Sequence, residues 1–100
     1  MTEKEFDEWI SALESGEYPK GKDYLCRYGK YCCLGVKAHL DGKLDEEGAV
    51  SGDSKFYIPA GMNGNDCDLV AISNDDSDTF DPVIDFLKEL KHEGRIEITQ

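Results

Sequence analysis

Residues 28–40 read YGKYCCLGVKAHL, and how this stretch folds decides the rest. With the residues before it, it reads as a β-hairpin. Tyr24 to Tyr28 would form one arm, Gly29-Lys30 the turn, and Tyr31-Cys32-Cys33 the other arm. A glycine in the first turn position is what a type II′ turn requires. Residues 33–40 also fit a short helix that Gly42 would stop. Gly35 weakens that helix by ~1 kcal/mol relative to alanine. The reading adopted is strand into helix, with the break near Cys32.

Upstream lies an amphipathic helix. Thr2 and Glu5 have capping-box spacing, so each side chain can satisfy an otherwise unpaired backbone N–H. Phe6, Trp9, Ile10 and Leu13 fall at i, i+3, i+4 and i+7 on one stripe. Ser15-Gly16 ends it, with Gly16 free to turn left-handed. Residues 17–24 read as a loop punctuated by Pro19 and Gly21.

Downstream, residues 41–54 are polar and glycine-rich and read as an exposed excursion. Residues 55–59 suggest a short strand that Pro59 ends, and residues 60–66 a loop. Residues 67–75 fit one or two helical turns with Leu69 and Ile72 as the apolar pair. A last helix starts with Asp81 as N-cap and Pro82 at N1, where its missing N–H costs nothing. Its stripe is Val83, Phe86, Leu87 and Leu90, with Ile84 beside it, and Gly94 stops it. Arg95 to Thr99 alternates as a terminal strand would. The expected fold is one α+β domain over residues 1–100, with two amphipathic helices on a small antiparallel hairpin or sheet.

The chain has 22 acidic and 11 basic residues, a net charge of −11. Residues 1–50 carry 11 acids and 7 bases, and residues 51–100 carry 11 and 4. Such a surface repels nucleic acid and anionic membranes at long range and attracts basic protein surfaces. The sign reverses locally: Lys20, Lys22, Arg27, Lys30 and Lys37 face one acid, Asp23. The start of the chain is charged and has no apolar h-region, and no run is apolar enough to span a bilayer. A reducing, cytoplasmic setting with free thiols is expected.

Four cysteines stand at 26, 32, 33 and 67. Their spacing is not that of two convergent ligand pairs, which a zinc site needs. A catalytic thiol needs a base within hydrogen-bond reach. Only His39 and His92 exist, and neither has an evident orienting partner. Small apolar side chains buried in a core are the plainer account of the cysteines. Asn74, Asp76 and Asp78 have the 1, 3, 5 spacing of a calcium loop, but Thr79 replaces its glycine and Asp85 its final glutamate. No metal or cofactor is expected.

Three blocks, WISALESGEYPKGKDYL, YCCLGV and ISNDDSDTFDPVIDFL, resemble a group of small bacteriophage and prophage proteins. The shared positions are Trp9, Leu13, Gly16, Tyr18, Gly21, Cys32 to Val36, Leu40, Asn74, Asp75, Phe80 and Ile84. Pro19-Lys20, Lys37 to His39, Asp78-Thr79 and the extra aspartates that follow Asp75, up to residue 81, depart from the pattern. The resemblance implies an accessory phage protein acting in the cytoplasm of the infected host. Such proteins often bind and disable a host component, including anti-phage defence of the CRISPR type.

Two working surfaces follow. The first is an acidic face of Asp75, Asp76, Asp78, Asp81 and Asp85. It would meet a basic surface on a host protein that handles nucleic acid, somewhat as a DNA mimic does, without enzymatic activity or direct contact with nucleic acid or membrane. The second is an anion or nucleotide site built from Tyr18, Lys20, Lys22, Arg27, Tyr28, Lys30 and Tyr31. A cysteine-dependent enzyme is a third class. The oligomeric state is open, a homodimer included.

Overall fold

The computed structural model describes residues 1–22, 25–27, 29–43 and 57–99. Among them, four helices carry the fold: α1 (Glu3–Ser15), α2 (Cys33–Leu40), α3 (Gly64–Asp75) and α4 (Asp81–His92). Extended pairing is limited to β1 (Cys26–Arg27) and β2 (Lys30–Tyr31), where Cys26 faces Tyr31 and Arg27 faces Lys30. Two further contacts are single bridges, Thr2 with Thr99 and Lys20 with Tyr31. The expected α+β architecture is therefore corrected to a mostly helical one. A ladder two residues long cannot form a layer, since a lone two-stranded ribbon is marginal even at full length. The terminal strand at residues 95–99 shrinks to the Thr99 bridge, and residues 57–59 are not a strand. Residues 44–54 of the polar excursion and residues 55–56 of the expected strand lie outside the described residues.

α1 forms as its sequence dictates. Thr2 Oγ1 accepts from the Glu5 N–H at 3.1 Å, and Glu5 Oε1 accepts from the Thr2 N–H at 2.8 Å. Phe6, Trp9, Ile10 and Leu13 are buried, and Gly16 closes the helix at φ 77°. In α4, Val83, Ile84, Leu87 and Leu90 are buried and Phe86 is half-buried. Phe80, not Asp81, is the N-cap, with no side-chain hydrogen bond; Asp81 and Pro82 lie in the first turn.

α2 begins where the chain was expected to break. Cys32 is the N-cap, its Sγ accepting from the Gly35 N–H at 3.3 Å. The ribbon turn differs from expectation, because Lys30 belongs to β2 and Gly29 takes the left-handed conformation at φ 75°. Gly35 is pressed against the Leu25 carbonyl so closely that a Cβ would stand 1.7 Å from its oxygen. Only glycine permits this approach of loop to helix.

α3 is longer than expected and faces the other way. Asn63 caps it through Oδ1, which accepts from the Asp66 N–H at 2.8 Å, while its Nδ2 donates to Asp66 Oδ2 at 2.9 Å. That reciprocal cap starts the helix at Gly64, inside the expected loop. The buried positions are Asp66, Cys67, Val70 and Asn74, whereas Leu69 and Ile72 are exposed. The buried Asp66 carboxylate lies 2.5 Å from the Arg95 guanidinium, a charge contact that ties the C-terminal segment to the start of α3. All four helices contribute to one core, with Trp9, Leu25, Leu34, Val36, Val70, Val83 and Leu87 fully buried.

Candidate functional site

The motif residues of the opening stretch build a joint. Asn74, fully buried at the end of α3, ties three segments together. Its Oδ1 accepts from the Cys33 N–H at 3.1 Å, and its Nδ2 donates to the Gly21 carbonyl and to Asp75 Oδ1, both at 3.1 Å. Trp9 Nε1 donates to the Cys33 carbonyl at 3.0 Å. Lys20 Nζ donates to the carbonyls of Asn74 and Ser77, 2.6 and 2.5 Å away. The Asn74 carbonyl is in the last turn of α3 and that of Ser77 just past its end, where the negative pole of the dipole favours a cation. Nζ also sits 5.9 Å from the centre of the Phe80 ring. Burial, and then the neighbouring Lys22, lower the Lys20 pKa.

Three of the four thiols are described, and each is buried. Cys32, Cys33 and Cys67 are free and buried. Burial pushes the thiols of Cys32 and Cys67 up to about 11 and that of Cys33 well above its ordinary value. A reactive thiol needs the opposite shift. His39 stands on the exposed side of α2, where its ring meets those of Tyr18 and Tyr31 edge to face, centroids 5.7 and 6.0 Å away. For Cys26 only the backbone is described.

Among the described residues, three lysines of the basic segment have partners within the chain. Lys20 is held by the α3 terminus, and Lys22 pairs with Asp78 at 3.3 Å. Lys30 is exposed. Lys37 is 2 % exposed and binds Asp41 Oδ1 at 2.8 Å. Asp41 Oδ2 also accepts from the Tyr57 hydroxyl at 2.6 Å. Tyr18 and Tyr31 are half-buried against each other, 5.1 Å between centroids. The Arg27 side chain and Tyr28 lie outside the described residues.

The acidic residues divide by position. Asp75 is half-buried beside Asn74. Asp76, Asp78, Asp81 and Asp85 are exposed, and Asp81 and Asp85 stand one turn apart on α4. The calcium reading fails on geometry, because Asn74 points into the core while Asp76 and Asp78 point to solvent. Among the described residues, no three His, Cys, Asp or Glu side chains gather as metal ligands. An open groove of about 800 Å³ along α1 is lined by Glu3, Asp7, Glu8, Glu17, Tyr18 and Leu40, among others, with Lys4 its one cation among the described residues.

Sequence reasoning missed the outer face of α3. Asn65, Asp68, Leu69, Ile72 and Asp76 are all exposed and recur at helical spacing, so they form one stripe. Leu69 is 47 % and Ile72 52 % exposed. Ile58, 48 % exposed, lies at the head of the helix beside Gly64. The signal was present in Asn63 and Asp66, whose spacing is that of a reciprocal cap.

The arrangement defines a small helical domain with a polar joint inside and a carboxylate-rich surface outside. The chain belongs to the DUF8296 family, a domain of unknown function, whose model matches residues 1–57. The match spans α1, the ribbon and α2; α3 and α4, with the acidic face, lie beyond it. No curated protein and no solved structure matches the chain. Among the described residues, no helix is long and apolar enough to cross a membrane.

Proposed function

We propose that this is a non-enzymatic interaction protein whose acidic α3–α4 face docks on a basic surface of a host protein and blocks it. The observation that carries the reading is the placement of charge. Asp76, Asp78, Asp81 and Asp85 are all solvent-facing around the turn between the two helices, while Lys20 and Lys22 are engaged at the same turn. A surface of one sign raises the rate of encounter with the opposite sign and loses that advantage in salt. The resemblance to phage accessory proteins supports a bacterial host protein as the target, and the local excess of carboxylates supports one that normally holds nucleic acid. The anion-site alternative loses support because Lys20, Lys22 and Lys37 already have internal partners.

The test is affinity capture from a bacterial lysate at about 50 and about 500 mM salt, where the screening length falls from above 10 Å to a few ångströms. A parallel arm uses the triple variant Asp76→Asn, Asp81→Asn, Asp85→Asn. The expected result is a captured basic protein that is lost in high salt and retained poorly by the variant. Equal capture in all arms would refute the reading.

A further inference from the structure

We infer that the outer stripe of α3 is the anchor of that interface, and that its partner presents an apolar cleft rimmed by lysines and arginines. The inference rests on the acidic-interaction reading and adds to it the contact that carries affinity. α3 mixes its faces, burying Cys67 and Val70 together with two polar side chains. It sends Asp66 and Asn74 into the core, where each is held by named hydrogen bonds, and leaves Leu69 and Ile72 in water. Exposed single leucines are ordinary. Here two large aliphatic side chains stand one turn apart on one helix face, with Ile58 near its head and no basic residue anywhere in Gly64–Asp75. An apolar centre inside a polar rim is the anatomy of a binding patch, and the centre supplies most of the affinity.

The rim identifies the occupant. Asp68 lies one turn before Ile72, and Asp76 one turn after it, both exposed. A second copy docking through this stripe by two-fold symmetry would set the same aspartates against each other, which opposes it. Lipid is opposed by the same charges. A cation-rimmed apolar cleft on another protein satisfies both the leucine–isoleucine pair and the carboxylates. Nucleic-acid mimicry alone needs only the carboxylates, so the apolar pair separates the two interfaces.

The probe is a synthetic amphipathic helix of about 18 residues, with leucines at i, i+3, i+4 and i+7 and lysines flanking them. Two comparison peptides replace the leucines by alanine or the lysines by glutamate. Binding to the full chain is read by fluorescence anisotropy across a salt series. The Leu/Lys helix should bind best, and Leu69→Ser with Ile72→Ser should weaken it by about tenfold or more, as truncation of an anchor does. Circular dichroism and Tm should stay at wild-type values, because both side chains face solvent. The reversal Asp68→Lys with Asp76→Lys should shift preference to the Leu/Glu helix. Equal binding of the Leu/Lys and Ala/Lys helices, or an unchanged affinity in the serine variant, would overturn the inference while salt-sensitive binding left the acidic-interaction reading standing. Loss of salt-sensitive binding to every peptide would remove both. A wild-type dimer in sedimentation that the serine variant abolishes would replace the proposed partner with a second copy.

Discussion

Replacing Gly35 by alanine sets helix propensity against packing, and the structure says which wins. In an isolated helix the change gains about 1 kcal/mol. Here a Cβ would stand 1.7 Å from the Leu25 oxygen and 2.5 Å from its carbonyl carbon. Contacts below 3.0 Å are not tolerated, so loop and helix must part by at least 3.0 − 1.7 = 1.3 Å. The obstacle is backbone, not the end of a flexible side chain, and Leu25 is fully buried. Overpacking of this kind costs about 1–3 kcal/mol. The Leu25 carbonyl also accepts from the Cys32 N–H at 3.2 Å. Loss of that bond adds about 1 kcal/mol. The net expectation is a destabilisation of about 2 kcal/mol, or about 8–16 °C in Tm for a domain of this size. Thermal and urea unfolding measure it, with the urea midpoint falling and the slope unchanged. Gly64→Ala is the internal control, since its Cβ would meet only Ile58 Cδ1 at 3.6 Å. That variant should gain up to about 1 kcal/mol. A Gly35→Ala protein as stable as wild type, or more so, would refute the packing reasoning.

Asn74→Ala leaves the Cys33 N–H and the Gly21 carbonyl without their partner, so urea unfolding should show a loss of about 2–4 kcal/mol, one to two buried groups' worth. Iodoacetamide at pH 8 should leave Cys32, Cys33 and Cys67 unlabelled in the native protein and label them in urea, read by mass spectrometry; rapid native labelling of any of them would restore a reactive thiol. The same thiols give stability a pH dependence. Each is neutral when folded and ionises near its ordinary value of 9.0 when unfolded. Their contribution is therefore complete below pH 9 and lost as pH rises toward about 11, so the urea midpoint should fall across that range.

The parts of the fold legible in the sequence are those specified locally. The Thr2–Glu5 box, the Phe6 to Leu13 stripe, Gly16 and the α4 stripe each follow from spacing alone. The strand-into-helix reading of residues 28–40 puts the break at Cys32, where α2 begins. α3 was obscured because its buried face uses Asp66 and Asn74, whose burial depends on partners in Asn63, Cys33 and Gly21. Periodicity sees Leu69 and Ile72 instead, and assigns them inward. Lys37 misleads for the same reason, since Asp41, itself bound by the Tyr57 hydroxyl, holds the ammonium in a place no pattern of hydropathy marks. The basic run and the acidic run looked like rival surfaces. Lys20 and Lys22 join them at one turn, which leaves the remaining carboxylates as the exposed charge.

The most direct test of the account is amide shift mapping of the full chain as the Leu/Lys helix is added. Perturbation should concentrate on residues 65–76 and 81–85, with residues 18–22 and 29–31 little changed. Shifts centred on Tyr18, Lys30 and Tyr31, with α3 silent, would contradict it.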